Sequence, residues 1–376
     1  MIYKTLGVSG IKIPAIAQGT SGFGNYANAD AAVVEERIAA LRQGVEAGLT
    51  LIDTAELYGG GFSEEVVGKA IGGMRSKVII SSKFNPREDV APAFERSLEG
   101  SLARLKTDYI DLYQIHWPNP FIPLEPVLEA IFQAIKKGLI RAVGVSNFPT
   151  QYMKDAQMVF EGTIVSNQFE YNLLDRSIED DILPYCEKNN MTLLGYSPLN
   201  QGKVVGMEEH RVTLGAIAEK HEKTIAQVVL RWLVSHAPVV AMAKTKTQKY
   251  IEESVGAMDF DLSAEEVAQI SALKAGKATP VPISSIRVVA PAHRKLCHTI
   301  EEAKENKDDL LPSPSALAQM YAETGFFKPI RLTRTADTSG RFLYDIDQYD
   351  VMDQVKKYWA WQIAKGKDEP IPAYIL

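Results

Sequence analysis

The sequence predicts an α/β protein in which strands and helices alternate to close a (β/α)8 barrel of the TIM type, followed by a small α+β domain. Short apolar runs that suit buried parallel strands recur along the first 250 residues. Each run ends in a polar or ionisable cluster, and a barrel of this type builds its active site from such strand ends. The chain has 376 residues, more than the ~250 that one barrel needs, so a second domain is expected.

Eight apolar runs are the predicted barrel strands. In chain order they are IKIPAIAQGT (11–20), LTLIDT (49–54), KVIISSK (77–83), IDLYQIH (110–116), AVGVSN (142–147), IVSNQFEY (164–171), TLLGYS (192–197) and VVAMAKT (239–245). Residues 2–14 are expected to form a short hairpin, turning through Gly7–Gly10, that plugs the barrel floor.

Helical patterns lie between these runs. They cover residues 30–48, 63–73, 91–105, 123–138, 151–160, 177–190, 213–224, 225–236 and 262–273. Asp30, Ser63 and Ser263 are the predicted N-caps, because a short side-chain oxygen there accepts from the first helical N–H groups. Alternation sustained over this length is typical of a parallel α/β fold.

The alternation ends near residue 274, which sets the predicted domain boundaries. Residues 1–274 are the barrel, residues 275–281 are a short linker with glycine and proline, and residues 282–376 are the small α+β domain. In that tail, strands are predicted at 283–289, 328–334, 341–346 and 371–376, and helices near 299–323 and at 348–364.

Composition excludes several classes of protein. The net charge of −6 argues against a non-specific nucleic-acid binder. The most apolar stretch, residues 228–243, contains Arg231 and His236 and is too polar for a membrane span. The two cysteines, Cys186 and Cys297, suit neither a disulfide framework nor a metal site. With no apolar secretion signal at the start, a cytoplasmic location is expected.

Four ionisable residues, Asp53, Tyr58, Lys83 and His116, follow successive predicted strands. Because neighbouring strand ends meet in a barrel, these side chains are expected to converge. They suit carbonyl reduction, with Tyr58 donating a proton to the carbonyl oxygen as hydride reaches the carbon. We expect Lys83 to favour the phenolate and lower the tyrosine pKa. Asp53 would hold that lysine charged, and His116 would orient the substrate oxygen.

Each of these residues has an ordinary structural interpretation when taken alone. An aspartate at a strand end is usually a cap or turn residue, a lysine there is usually solvated, and a histidine beside Trp117 usually packs half-buried. Their coincidence at successive strand ends favours the catalytic interpretation.

Over residues 1–274 the chain resembles the aldo-keto reductase superfamily. The matching segments are GTSGFG (19–24), LIDTAELYGGG (51–61), SSKF (81–84), DLYQIHWP (111–118), GVSNF (144–148), NQFEYNLLDR (167–176), GYSPLNQG (195–202) and AKTKTQKYIEES (243–254). The resemblance implies a barrel, a nicotinamide cofactor and a Tyr–Lys–Asp–His tetrad that maps onto the four residues above.

The resemblance also implies a cofactor site. Ser146, Asn147 and Gln168 match positions that hydrogen-bond the nicotinamide carboxamide, a group that needs both donors and acceptors, and Tyr196 matches the aromatic that stacks on the nicotinamide ring. Three further groups of cofactor residues are implied. The nicotinamide side is lined by Gly19, Thr20, Ser21 and Asp53, and the pyrophosphate is lined by Ser197, Pro198, Leu199 and Gln201. The adenosine end is lined by Lys244, Thr245, Tyr250, Glu253 and Ser254, and Ser254 replaces the asparagine that is usual there.

The adenosine end decides which cofactor is expected. Lys244 and Thr245 match the family's clamp on the 2′-phosphate of NADP, but Tyr250 stands where an arginine usually pairs with that phosphate. Because lysine lacks arginine's planar fork, phosphate selectivity is expected to weaken unless Lys246 or Lys249 compensates. NADP(H) is the predicted cofactor, and use of NAD(H) is left open.

The substrate pocket is expected to be lined by aromatic residues, which suit a small carbonyl or alcohol substrate. These residues are Phe23, Tyr26, Phe84, Trp117 and Phe148, and for Phe148 ordinary packing is an equal alternative. The physiological substrate, the reaction direction and the oligomeric state are left open.

The tail resembles the ParB/sulfiredoxin-like fold. The matching segments are VPISSIRVVAPAHRKL (281–296), GFFKPIRLTR (325–334), GRFLYDIDQYD (340–350) and EPIPAYIL (369–376). Where that fold usually binds a nucleotide, this chain has DQYD, and Asp347 and Asp350 would repel phosphate. The sulfiredoxin cysteine is also missing, so we expect a structural or capping domain that binds no ATP, CTP or DNA yet affects the activity of the barrel.

Three functional classes therefore compete. The leading class is an NADP(H)-dependent oxidoreductase. The second is a cofactor-binding regulatory or redox-sensor protein with little turnover, which the intact tetrad disfavours but does not exclude. The third is a nucleotide-dependent kinase or hydrolase centred on the tail, against which the altered phosphate turn argues.

Overall fold

A computed structural model describes residues 1–87, 90–273, 279–288, 299–305, 312–334, 349–351 and 355–375. The chain divides into two compact units. The first comprises residues 1–117 and 123–274, and the second comprises residues 118–122 and 275–376. Residues 341–346, one of the predicted strands, lie outside the described residues.

The first unit contains a closed barrel of parallel strands, which confirms the predicted fold. The strands before and within it are β1 (Tyr3–Thr5), β2 (Lys12–Pro14), β3 (Ile16–Gly19), β4 (Leu51–Asp53), β5 (Ile79–Phe84), β6 (Ile110–Ile115), β7 (Ile140–Ser146), β8 (Ile164–Glu170), β9 (Thr192–Tyr196) and β10 (Val239–Lys244). Strands β3 to β10 follow one another around the ring in chain order, and β10 closes it against β3.

Helices return the chain between the strands. They are α1 (Ala31–Glu46), α2 (Phe62–Ala70), α3 (Val90–Leu105), α4 (Leu124–Lys136), α5 (Thr150–Val159), α6 (Ile182–Lys188), α7 (Lys203–Gly206), α8 (Glu208–Lys220), α9 (Ile225–Ser235), α10 (Gln248–Gly256) and α11 (Ala264–Ala272). The predicted caps Asp30 and Ser263 are confirmed. The prediction for Ser63 is wrong, because α2 begins after Gly61 and the Ser63 hydroxyl donates instead to the Thr20 carbonyl oxygen at 3.2 Å.

The floor of the barrel is apolar and buried. Strands β1 and β2 form the predicted antiparallel hairpin. Its side chains Leu6, Ile11 and Ile13 are buried against inward-facing residues of the barrel strands, including Leu112 and Leu194. Burial of apolar area at about 25 cal/mol per Å² makes this layer a major source of stability.

Strand register brings polar residues to the opposite, open end. Asp53 pairs with Ser81 across β4 and β5, and Lys83 pairs with Gln114 across β5 and β6. Lys244 pairs with Gly19 across β10 and β3. Since side chains alternate along a strand, residues two apart share the inward face.

The second unit holds a mixed sheet with strands β11 (Thr279–Val281), β12 (Ile286–Val288), β13 (Ile330–Arg334), β14 (Tyr349–Val351) and β15 (Ile371–Ile375) in the order β11-β15-β13-β14-β12. Its helices are α12 (Ile300–Lys304), α13 (Pro314–Thr324) and α14 (Val355–Lys365). Trp359, Trp361 and Ile330 lie in its core. Residues 279–281, expected in the linker, pair with β15, and residues 349–351, expected to be helical, form β14.

Candidate functional site

The four predicted catalytic residues meet at the open end of the barrel. The Lys83 ammonium donates to Asp53 Oδ2 at 2.7 Å, to the Thr54 carbonyl oxygen at 2.8 Å and to the Tyr58 hydroxyl at 3.3 Å. The ring of His116 lies edge-on to that of Tyr58, with centroids 5.7 Å apart. The four side chains thus form one contiguous group.

The charges of this group are coupled. Lys83 is fully buried and Asp53 is 4% exposed. Burial alone would lower the pKa of Lys83, but the charges of Asp53 and Tyr58 and its hydrogen bonds to both outweigh burial and raise it. Lys83 is therefore an ammonium at neutral pH, held by an aspartate that would otherwise be a buried unpaired charge.

The pKa of Tyr58 moves opposite to the sequence-based expectation. Burial raises it, and the opposing charge of Lys83 does not cancel that effect, so the net shift in the ligand-free protein is upward. A phenol with a raised pKa keeps its proton at neutral pH. Tyr58 is therefore a proton donor at rest, with an ammonium in place to stabilise the phenolate once the proton leaves.

Neutral hydroxyl and amide donors hold the Asp53 carboxylate in place. Its Oδ1 accepts from the Ser81 hydroxyl at 2.8 Å and from Gln168 Nε2 at 3.2 Å. Ser81 in turn accepts from Gln114 Nε2 at 2.9 Å. Donors on both carboxylate oxygens hold Asp53 in its orientation toward Lys83.

Sequence reasoning did not single out Ser81, Gln114 or the Thr54 carbonyl. The strand period of two would have found the first two, because Ser81 precedes Lys83 by two residues and Gln114 precedes His116 by two. No sequence signal identifies the Thr54 carbonyl, since its role depends on the course of the backbone after β4.

A second polar group adjoins the first. Ser146 donates to the Gln168 carbonyl oxygen at 3.1 Å, and Asn147 Nδ2 donates to Ser146 Oγ at 2.9 Å and to the His116 carbonyl oxygen at 3.2 Å. The Tyr196 hydroxyl donates to Asn147 Oδ1 at 3.1 Å. Asn147 has a φ of 61°, a left-handed conformation that asparagine tolerates. The structure thus brings the four predicted carboxamide and ring-binding residues together.

The other predicted cofactor residues lie on neighbouring strand ends. Thr20 is buried and its hydroxyl donates to the Asp53 carbonyl oxygen at 3.0 Å. Gly19 ends β3, and Ser21 follows it and is exposed. After β9, Pro198 is buried, Ser197 and Leu199 are half-buried and Gln201 is exposed.

At the adenosine end, Lys244 and Tyr250 are exposed. The buried Thr245 hydroxyl has no hydrogen-bond partner within the described part of the chain. Glu253 accepts from the Thr224 hydroxyl at 2.5 Å, and the buried Ser254 donates to the Tyr250 carbonyl oxygen at 2.9 Å. An orphaned buried hydroxyl next to a free lysine fits a phosphate oxygen as its missing partner.

The predicted aromatic pocket is assembled only in part. Phe84 is buried and its ring packs between Phe94 and Tyr113, with centroids 5.1 and 5.2 Å away, in the layer between β5 and α3. Phe148 is also buried. Phe23 is buried, Trp117 is half-buried, and Tyr26 is exposed and donates to Glu65 at 2.6 Å; these three follow barrel strands at the open end.

The described residues also bear on metal binding and on membrane insertion. Among them, no group of histidine, cysteine, aspartate and glutamate is arranged to hold a metal ion. Within the same ranges, no helix is long and apolar enough to cross a membrane.

Comparisons with known proteins agree with this geometry. Residues 15–275 match the profile of the Aldo/keto reductase family. Among curated proteins, methylglyoxal reductase YeaE of Escherichia coli K12 is 38% identical over 285 residues, which cover 75% of this chain and 97% of that protein. The match thus spans nearly the whole relative.

Solved structures of aldo-keto reductases are also similar to this chain. The thermostable aldo-keto reductase Tm1743, in complex with the inhibitor epalrestat, is 42% identical with a TM-score of 0.69, and the match covers 73% of this chain and 100% of that one. An aldo-keto reductase from Klebsiella pneumoniae in complex with NADPH is 37% identical with a TM-score of 0.67, and the match covers 73% and 96% of the two chains.

Proposed function

This chain belongs to the aldo/keto reductase family, and from that premise we propose that Tyr58 protonates the carbonyl oxygen of a small α-oxoaldehyde. The predicted enzyme class, an oxidoreductase that reduces aldehydes or ketones to alcohols with NADP(H), is confirmed at the level of the family. The assignment of roles to individual residues and the substrate class are our proposals.

One observation carries the proposed mechanism. The Lys83 ammonium is hydrogen-bonded to Asp53 and to Tyr58 at the same time. A buried cation in contact with a phenol stabilises the phenolate far more than it stabilises the neutral phenol. Because this interaction strengthens as the proton leaves, it lowers the barrier to proton transfer rather than merely strengthening binding.

When bound at these strand ends, NADPH would supply the hydride for the carbonyl carbon. The Tyr58 hydroxyl gives its proton to the carbonyl oxygen, so that a neutral alcohol forms and the phenolate is left beside Lys83. His116 donates a hydrogen bond that fixes the position of the carbonyl oxygen. Solvent later returns a proton to Tyr58.

The cofactor would be held by residues of several strand ends. Ser146, Asn147 and Gln168 would bind the carboxamide, and Tyr196 would stack on the nicotinamide ring. Lys244 and Thr245 would bind the 2′-phosphate, which is why we propose a preference for NADP(H). Since Tyr250 cannot replace an arginine fork, NAD(H) is expected to bind as well, though more weakly.

The substrate class rests on the relative and on the pocket. The E. coli relative is a methylglyoxal reductase, and a small dicarbonyl would suit a pocket whose proposed lining includes Phe23, Tyr26 and Trp117. We expect a second oxygen on the carbon next to the aldehyde to raise reactivity, because it withdraws electrons from the carbonyl carbon that receives the hydride.

The test is NADPH oxidation by the purified full-length protein with methylglyoxal, simple aldehydes, ketones and ketosugars. We expect turnover with the aldehydes and the highest kcat/KM for methylglyoxal. Binding of NADPH, seen by fluorescence, without turnover of any carbonyl would overturn the proposal and favour the redox-sensor alternative. Turnover of ketosugars alone would overturn the substrate class and leave the mechanism intact.

The tail would be a separate ParB/sulfiredoxin-like domain that follows the barrel (1–274) and comprises residues 282–376, with β11 (Thr279–Val281) from the expected linker added to its sheet. The order of its matching segments and its small α+β sheet support this proposal. Asp347 and Cys297 lie outside the described residues. We propose that this domain binds neither ATP nor CTP, and that the protein acts in the cytoplasm, as its two cysteines suggest.

A further inference from the structure

Three cations gather beside the loop that follows β3. Arg37 extends from α1, Lys244 ends β10, and Lys246 follows two residues later. The loop itself, residues 20–24, carries Gly22 and Gly24 with φ of 78° and 114°, a conformation that favours glycine. The loop therefore lacks side chains at residues 22 and 24, the two positions that lie nearest to Lys246 and Arg37.

Distances to this loop place two of the cations against it. A Cβ built on Gly22 would lie 3.8 Å from Lys246 Nζ, and one built on Gly24 would lie 3.4 Å from Arg37 Nη1. The Arg37 guanidinium also lies over the Phe23 ring, 5.4 Å from its centroid. Arg37 and Lys246 thus reach the same short loop from two different elements.

Among the described residues these cations form no direct ion pair, and only the charge of the neighbouring Glu36 acts favourably on the Arg37 guanidinium. Within the described ranges, neither Arg37 nor Lys246 forms an ion pair or hydrogen bond with a carboxylate. Burial lowers the pKa of Lys246, and repulsion from Lys244 and Arg37 lowers it further. Such an arrangement destabilises the empty protein and is relieved when an anion binds between the cations.

We infer that Arg37 and Lys246 together bind the pyrophosphate of the nicotinamide cofactor. This inference rests on the proposed cofactor site. There Gly19 to Ser21 line the nicotinamide end and Lys244 binds the 2′-phosphate of the adenosine end. The pyrophosphate joins these two ends, and the loop at Gly22–Gly24 lies beside both of them. Arg37 presents the planar fork suited to phosphate that residue 250 lacks.

The assignment has a consequence for cofactor choice. NADP and NAD share the pyrophosphate, so cations there strengthen both cofactors equally. Lys244 would then be the residue that discriminates between them. Cations at the pyrophosphate, which both cofactors contain, explain how the protein could bind its cofactor tightly without an arginine at position 250.

The experiment measures dissociation constants of NADP⁺ and NAD⁺ by calorimetry, with the full-length protein and the variants Arg37→Met and Lys246→Met. Methionine keeps most of each apolar stem and removes only the charge. We expect each variant to bind both cofactors about tenfold more weakly, equivalent to about 1.4 kcal/mol. Lys188→Met removes an exposed lysine at the end of α6, a residue with no part in the proposed cofactor site, and is expected to change neither constant.

Thermal unfolding separates this effect from misfolding. Without cofactor, Lys246→Met is expected to melt at or above the wild-type temperature, because like-charge repulsion is relieved. Its stabilisation by a fixed NADP⁺ concentration should be smaller than that of the wild type.

Wild-type affinity for both cofactors in Lys246→Met and Arg37→Met would overturn the inference. Weaker binding of NADP⁺ alone would also overturn it and would place the cations at the 2′-phosphate. If the wild type binds neither cofactor, the proposed function itself fails. If Arg37→Met does not fold, Lys246→Met alone decides the matter.

Discussion

The two ends of the barrel use the same strands for opposite purposes. On β4, Leu51 lies in the apolar floor, whereas Asp53, two residues later, lies in the charged group at the open end. On β6, Leu112 packs on the floor hairpin, and Gln114 belongs to the polar chain that orients Asp53. On each strand, two residues therefore separate the apolar floor from the polar group at the open end.

The difference shows how an enzyme can keep buried charges. The floor excludes water and contributes stability through apolar burial. The open end contains an ion pair whose desolvation is unfavourable and is offset only by the complete set of partners around it. Substitutions at the floor should therefore change stability alone, whereas substitutions at the open end should change activity and, where a buried charge loses its partner, stability as well.

The largest combined effect is expected for Lys83→Met. Removing the ammonium leaves Asp53 buried without a cation, which should reduce the free energy of unfolding by about 3–5 kcal/mol. Loss of phenolate stabilisation should also lower kcat by at least about a hundredfold. Urea unfolding and steady-state kinetics measure the two effects.

The double variant Asp53→Asn with Lys83→Met sharpens this test. It should regain part of the lost stability, because no buried charge remains, and it should regain no activity. Lys77→Met, an exposed lysine just before β5, is the matched control and should behave as wild type. Equal stability of Lys83→Met and wild type would contradict the prediction, because it would mean that the buried Asp53 carboxylate does not need a cation beside it.

Leu112→Ala probes the floor. It removes buried methyl groups from the contact with the hairpin and should reduce the free energy of unfolding by about 2–5 kcal/mol. Because the open end is built on other residues, kcat well below the melting temperature should be unchanged. Val212→Ala, at a position that is 81% exposed, is the control. A large loss of kcat in folded Leu112→Ala would show that the two ends are mechanically coupled.

Lys244→Ala tests the outer rim of the open end. A hydrogen bond to a charged phosphate contributes about 1.5–3 kcal/mol, so NADPH should bind roughly ten- to a hundredfold more weakly. NADH lacks the 2′-phosphate and should lose little. Kd values from fluorescence titration decide the matter, and equal losses for both cofactors would assign Lys244 to the shared pyrophosphate or to the fold.

The smallest effect is expected in the outer helical layer. The Ser263 hydroxyl oxygen accepts from the Glu266 backbone N–H at 3.1 Å, and the Glu266 carboxylate accepts from the Ser263 backbone N–H at 2.8 Å. Ser263→Ala should reduce the free energy of unfolding by about 0.5–2 kcal/mol with unchanged kinetics. Ser263→Thr keeps the accepting oxygen and should restore most of it; failure to do so would mean that the cap contributes little.

The barrel, its strand order and the convergence of Asp53, Tyr58, Lys83 and His116 could be predicted from sequence, because each rests on local patterns. Apolar runs mark the strands, and the residue at each strand end is fixed by the barrel's topology. The expectation that Phe84 lines the substrate pocket overlooked a rule that the sequence does offer. Adjacent residues on a strand face opposite sides, so Phe84 turns outward to Phe94 while Lys83 turns inward.

Two other features depend on the whole structure. The upward pKa shift of Tyr58 results from burial by neighbours that are distant in sequence, whereas the sequence shows only the adjacent cation. In the tail, residues 349–351 lie within the predicted helix 348–364, yet they pair with β12 and β13. Long-range pairing of this kind overrides local preference and leaves no local signal.

The most direct test of the account is Tyr58→Phe, compared with Tyr185→Phe on α6. Stopped-flow measurement of hydride transfer from NADPH to methylglyoxal should show a rate about 10²–10⁴ times lower than wild type for Tyr58→Phe, since the proton donor is gone. NADPH affinity should be nearly unchanged, because the cofactor is held by other strand ends, and Tyr185→Phe should react as wild type. Near-normal hydride transfer in Tyr58→Phe would contradict the central claim that this tyrosine supplies the proton.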